Sequence, residues 1–416
     1  MKLSTSLVTA VYSAVTVASA IPFTNDYSGR TKMMCKQTPS HSEGALYWIT
    51  NHPEENSVIA ATINKDGSLN IDRAVSTGGR GLHGNNTGPD GLYSQGSVVV
   101  STEAKLLATV NAGSNTLSLF TIDPKSPTKL TPLGYPISSG GEFPISVAFN
   151  PDGSMLCALN GGSVAGVNCY SANTTSGLTL IPGTFRAIRL NQTYPPTGPL
   201  GTASQVAFSP DGAQLIASVK GTPVAAPGFL ATWSVSGRSL TTDATMTAPP
   251  PGGLAPFSLT PVPGRNAILS ADPAVGVAVF DLDNANASST LAVPGQAANC
   301  WSAYSNQTGN YYLADIGTAI INEVHVDENL KPTLVKGYQL ETGSGPIDED
   351  VVTVNGKDFL YVLTANQTAV DVLALSGGAG NAKKTATLSF AGAARQYGVP
   401  IIASNLQGMA HFLTEK

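Results

Sequence analysis

The chain has 416 residues, only 12% of them charged, with 43 Gly, 28 Pro and a formal net charge of −5. Such a composition suits a turn-rich β fold and argues against long helices and against disorder. The weak negative charge offers no basic surface for nucleic acid and no polybasic run for an anionic membrane.

At the N-terminus, Lys2 precedes a mainly apolar stretch from Leu7 to Val17 that ends in Ala18-Ser19-Ala20. This is the charged, apolar, small-x-small order of a secretory leader, so residues 1–20 are expected to be removed and the protein to be extracellular. Residues 21–43 read as an N-terminal segment, and 44–416 as a single domain. No later stretch is long and apolar enough to cross a bilayer. Six sequons, at Asn85, Asn173, Asn191, Asn286, Asn306 and Asn366, agree with secretion and mark expected glycosylation sites.

From residue 44 onward the apolar residues fall into short strands bounded by turns. Gly44-Ala-Leu-Tyr-Trp-Ile-Thr and Ser57-Val-Ile-Ala-Ala-Thr-Ile come first, followed by Ser97-Val-Val-Val-Ser and Leu106-Leu-Ala. Two near-identical units follow, Ser146-Val-Ala-Phe-Asn-Pro-Asp-Gly-Ser-Met-Leu-Cys-Ala and Gln205-Val-Ala-Phe-Ser-Pro-Asp-Gly-Ala-Gln-Leu-Ile-Ala. In each, Pro presets the turn and Gly supplies a positive φ, which gives strand, turn, strand. Weaker copies begin at Phe257, Ser302 and Asp350. Their spacing of roughly 50 residues is that of propeller blades. Six hairpins are visible, and a seventh unit at Gly44 lacks a first strand. The expected fold is an all-β, seven-bladed propeller of four-stranded antiparallel blades. Its ring would be closed by strands from both termini, with Val399-Pro-Ile-Ile-Ala-Ser or Gly408-Met-Ala-His-Phe-Leu supplying the missing one.

Four cysteines permit three pairings in an oxidising compartment. Cys157 and Cys169 flank one hairpin, which makes a cross-strand bridge the first choice; Cys35 and Cys300 would then form the second.

In a propeller, the connections entering first strands and the turns after second strands converge on one face. The polar residues at those positions are Glu142, Gln205, Trp301 and Asp348 in the first set, and His52, Asn111, Asn115, Lys220, Asp272 and Asp315 in the second. Arg80 and His83 lie in the Gly-rich connection Gly78-Gly-Arg-Gly-Leu-His-Gly. A carboxylate, an ammonium, amides and an aromatic wall are what an oriented small-molecule pocket needs. Glu142 and Lys220, from neighbouring blades, are the candidate catalytic pair, with Gln205, Asn111, Trp301, Arg80 and His52 as substrate-binding residues. The same two groups also fit a structural ion pair between blades. No cofactor is expected; the one cation worth weighing is calcium, through Glu142, Asp272, Asp315 and Asp348. Zinc spacing is absent.

Val110-Asn-Ala-Gly-Ser-Asn-Thr-Leu-Ser-Leu-Phe, Phe143-Pro-Ile-Ser-Val-Ala-Phe-Asn-Pro-Asp-Gly and Gln205-Val-Ala-Phe-Ser-Pro-Asp-Gly resemble segments of the seven-bladed lactonase-like propellers. That group includes 6-phosphogluconolactonase and the fungal 3-carboxy-cis,cis-muconate lactonizing enzyme. Gly141-Glu-Phe-Pro, Val219-Lys-Gly and Cys300-Trp look closest to its secreted, cyclase-like fungal branch. The resemblance implies a monomeric enzyme that handles a small carboxylate or lactone in a central pocket, as a cycloisomerase or a lactonase. Where the group's cytosolic lactonases carry Gly-Pro-Arg-His, this chain has Thr202-Ala-Ser-Gln205, so Glu142 would carry the proton and Lys220, with Arg80, would hold the substrate carboxylate. A non-catalytic secreted ligand-binding propeller, or a glycosylated cell-wall or antigen-like protein, is the alternative expectation.

Overall fold

Both Pro-Asp-Gly units fold as hairpins whose turns are locked by their own side chains. Asp152 accepts from the Ser154 amide and Asp211 from the Ala213 amide. Gly153 and Gly212, at φ 71° and 72°, take the left-handed step that a Cβ would resist. The flanking strands pair as the apolar pattern requires, with Phe149 opposite Leu156 and Phe208 opposite Leu215. In the computed structural model, which describes residues 31–34, 42–222 and 226–415, this unit recurs as seven antiparallel sheets in a ring.

Blade 3 shows the common plan: Pro144–Phe149 innermost, then Met155–Asn160, Gly166–Asn173 and Gly177–Leu180 outward. The first three strands bury nearly every residue, because each blade packs both faces against its neighbours. Outer strands are more exposed, as in Lys383–Ser389 of blade 7. Cys157 and Cys169 are directly opposed on the second and third strands of blade 3 and form a buried disulfide. Cys300 is a free, buried thiol, which corrects the second expected bridge; Cys35 and the leader lie outside the described residues.

The ring closes in blade 1. Gln407–Leu413 pairs antiparallel with Gly44–Ile49 and becomes the innermost strand, so of the two candidate segments the second is the closing strand. Thr31–Met33 adds a fifth strand outside Leu69–Ser76, which ties the described part of the N-terminal segment into the same blade. The six sequon asparagines are all exposed. No described helix is long and apolar enough to cross a membrane.

Closure rests on a few large contacts. Phe412 is 1% exposed and packs in the core shared by blades 1 to 4. Phe412→Ala is expected to lower the free energy of unfolding by about 3–5 kcal/mol, whereas Met33→Ala, at an exposed position, changes it by less than about 0.5 kcal/mol. Urea titrations of the two variants beside the wild type measure the difference.

Candidate functional site

In blades 2, 3, 5 and 6 the second strands end in polar residues whose side chains brace the loops. Asn111 accepts from Asn56 and Thr77 and donates to Thr116 and Ser118. Asn160 donates to the Ser139 and Gly166 carbonyls. Asp272 accepts from the amides of Leu254, Ala255 and Ala274, and Asp315 from those of Ala297, Ala298, Gly317 and Thr318. One residue further on, the chain turns toward the channel mouth, where Pro273 and Ile316 present apolar side chains. Blade 4 places Lys220 there, directly after the strand Gln214–Val219.

Two long connections meet over this mouth. Residues 77–97 join blade 1 to blade 2, and residues 188–202 join blade 3 to blade 4. They touch where the Asn85 backbone amide and side-chain amide donate to the carbonyls of Pro196 and Pro195. Beneath them lies a cavity of about 470 Å³, within the size range of small-molecule sites. Asp90 and Tyr93 enter it from the first loop, Leu200 from the second, and Lys220, Phe257, Cys300 and Trp301 from the blades.

Lys220 is 1% exposed. Its ammonium donates to the carbonyls of Tyr93 at 2.6 Å and Ala203 at 3.1 Å, and stands 4.6 Å from the centre of the Phe257 ring. The ring face favours a cation here, and Trp301 packs edge-on against the same ring with centroids 5.0 Å apart. The Trp301 indole N–H donates to the Ser94 carbonyl.

Asp90 is buried, and its carboxylate accepts from the Ser94 amide and from Gln407, the first residue of the closing strand. The same Gln407 nitrogen donates to the Ser94 carbonyl and to Asp348, which also accepts from the Gly408 amide. Burial raises the Asp90 pKa from 3.8 to about 6, with Lys220 opposing the rise. Burial lowers Lys220 from 10.5 to about 7, with Asp90 opposing the fall. The pair therefore changes charge close to neutrality, which is where acid and base catalysts work best. Burial also pushes the Asp348 carboxyl and the Cys300 thiol well above their usual ranges, so Cys300 is held as a thiol, a poor nucleophile. The Tyr93 phenol is pushed up to about 12, again by burial and by the Asp90 charge.

Asp90 and Tyr93 both adopt positive φ, 68° and 57°. Backbone held there costs energy and persists only where the surroundings fix it. The contacts that do so are Asp90 to the Ser94 amide and Lys220 to the Tyr93 carbonyl. His83 adds a brace: its ring nitrogens lie 2.8 Å and 2.9 Å from the carbonyls of Gly84 and Gly88, in the loop that presents Asp90.

Residues 40–182 match the family model of the lactonases with a seven-bladed β-propeller. The chain is a seven-bladed β-propeller whose first blades match that model. Among solved structures, the periplasmic gluconolactonase PpgL of Pseudomonas aeruginosa aligns at 17% identity and a TM-score of 0.59, over 83% of this chain and 96% of that one. A putative 6-phosphogluconolactonase of Bacteroides fragilis aligns at 15% identity and a TM-score of 0.58, over 85% and 97%. A protein of Lactobacillus plantarum gives a TM-score of 0.62 at 15% identity, over 90% and 100%. At these identities the likeness is one of fold. No curated protein matches the chain.

Of the residues read from the sequence, Lys220 and Trp301 line the cavity. Glu142 does not. It is half-buried outside the cavity wall, where its carboxylate accepts from the Ser163 hydroxyl and the Val164 amide, so the structure does not bring it to Lys220. Gln205 faces the next blade and accepts from the Leu259 amide at 2.6 Å. Asn111 has both ends of its amide engaged in the brace between blades. His52 accepts from the Glu54 amide within its own turn, and Arg80 is an exposed residue of a separate surface depression. The carboxylates weighed for calcium are likewise each engaged by neighbouring donors, and no group of three or more metal-binding side chains occurs among the described residues.

Asp90 is the residue that sequence reading passed over. Its titration has a measurable sign: a carboxyl whose pKa is raised on folding adds stability below its ordinary value, and that stability is lost as pH rises through the folded pKa. Between about pH 4 and pH 6.5 the stability of the wild type relative to Asp90→Asn is therefore expected to fall, by on the order of 1–3 kcal/mol. Denaturant titrations at stepped pH check this, and a difference that grows in the wild type's favour would contradict the assigned burial.

Proposed function

We propose that this propeller is a secreted, glycosylated lactone-handling enzyme whose working pair is Asp90 and Lys220. One observation carries the reading: a buried carboxyl and a buried amine, both shifted toward neutrality, face one cavity at the loop-covered mouth of a lactonase-like propeller. In ring opening, the Asp90 carboxylate takes a proton from an attacking water as the water oxygen bonds to the lactone carbonyl carbon. Lys220 has three N–H bonds, two of them held by backbone carbonyls, and the third stabilises the oxyanion that forms. The C–O bond to the ring oxygen then breaks, Asp90 returns the proton to that oxygen, and a hydroxy acid leaves. Reversed, this path closes a hydroxy acid with loss of water; closing an unsaturated carboxylate instead has the carboxylate oxygen add to the alkene carbon while Asp90 delivers its proton to the neighbouring carbon. Trp301 and Phe257 supply the wall against which the ring lies. Exposure of the six sequon asparagines and the Cys157–Cys169 disulfide support secretion.

The two carbonyl bonds on Lys220 favour a second reading, in which the ammonium is a fixed post and the propeller binds its ligand without turnover. Kinetics separate the two. With protein recovered from the medium of a secreting host, its N-terminus read at Ile21 to check the leader, a lactone panel is assayed by acid release. Asp90→Asn and Lys220→Met are each expected to lose at least ~100-fold in kcat/KM, while Glu142→Gln stays within about threefold of wild type. No turnover in the wild type, with thermal stabilisation by a ligand, would favour the binding reading.

A further inference from the structure

The cavity walls also bear on which lactone fits. Resting on the reading of this cavity as a lactone site, we infer that its occupant is a small, unphosphorylated and predominantly apolar lactone, and that sugar and sugar-phosphate lactones are excluded.

Charge is the first reason. A phosphate monoester carries nearly two negative charges at neutral pH and is held by arginines, lysines or clustered backbone N–H groups. Among the described lining residues, Lys220 is the one cation, and two of its three N–H bonds already go to carbonyls. Backbone amides do line the blade 5 and blade 6 walls, at Leu254, Ala274, Ala297 and Ala298, and in another protein they would form an anion cradle. Here each donates to a buried carboxylate, Asp272 or Asp315. A phosphate entering the cavity would meet these two carboxylates behind the wall and Asp90 in front, with little beyond the third Lys220 N–H and the Asn86 amide among the lining side chains to replace its water.

Hydroxyl content is the second reason. The surfaces of Pro89, Leu200, Leu254, Pro273, Ala298 and Ile316 face the cavity, together with the rings of Phe257 and Trp301. They offer no hydrogen bonds to a polyhydroxylated ring, and each buried hydroxyl left unpaired carries its desolvation cost. An alkyl- or aryl-fused lactone places its apolar body on these walls and only its carbonyl and ring oxygen near Lys220 and Asp90.

The test has two arms on the full secreted chain. In the first, hydrolysis of dihydrocoumarin is compared with that of gluconolactone and 6-phosphogluconolactone. In the second, binding of dihydrocoumarin and of 6-phosphogluconate is measured by calorimetry with wild type and with Trp301→Leu. The inference expects kcat/KM at least ~100-fold higher for dihydrocoumarin, and binding of dihydrocoumarin that Trp301→Leu weakens at least ~10-fold. Selective, Trp301-dependent binding of dihydrocoumarin without turnover would leave the inference standing and remove the enzymatic reading. Equal or preferred turnover or binding of the phosphorylated compound would overturn the inference, as would failure of both compounds to bind.

Discussion

The contact on which the remaining structure depends is the pairing of the closing strand Gln407–Leu413 with Gly44–Ile49. A propeller blade without its innermost strand leaves an unpaired edge at the channel and a gap in the ring of packed faces. Closing it also completes the site. Gln407 heads that strand, and a single amide nitrogen there serves Asp90, the Ser94 carbonyl and Asp348. Two buried carboxyls are thus held by a donor that arrives only when the ring shuts. Folding and the assembly of the candidate centre are therefore one event.

The rest of the cavity follows from a plan that four blades share and blade 4 breaks. Blades 2, 3, 5 and 6 end their second strands in Asn or Asp side chains that satisfy loop amides and carbonyls, which is how loops can be packed over a channel without leaving buried polar groups unpaired. Blade 4 has Val219 at that register and Lys220 one residue beyond, where its neighbours carry apolar groups at Pro273 and Ile316. A lysine buried there is tolerable because two carbonyls, an aromatic face and the field of Asp90 replace its water. The strained turn at Asp90 and Tyr93 persists for the same reason, since the Lys220 bond to the Tyr93 carbonyl fixes it.

How far the sequence alone reached follows from the range of the contacts involved. The hairpins, the blade count and the Cys157–Cys169 bridge depend on local turns and on a repeat, both written in neighbouring residues, whereas the closing strand pairs across the whole chain and stays one of two candidates in the sequence. Lys220 and Trp301 were found because the repeat register carries them to one mouth. Glu142 occupies a first-strand entry too, yet whether a side chain there turns inward depends on local partners, and Ser163 with Val164 hold it outside. Asp90 was missed because Pro89-Asp90-Gly91 is a third Pro-Asp-Gly, out of register and inside a Gly-rich connection that reads as surface loop. Its burial comes from Gln407, 317 residues away, and from a lid made with a loop of blade 3, neither of which any local pattern records.

The most direct test of the central claim is a crystal structure of the protein with a non-hydrolysable lactam analogue of a bound lactone. The account predicts the lactam carbonyl oxygen within ~3 Å of the Lys220 ammonium, with its ring against Trp301 and its ring nitrogen on the side of Asp90. A lactam seated beside Glu142 and Arg80, with the Asp90–Lys220 cavity vacant, would contradict it.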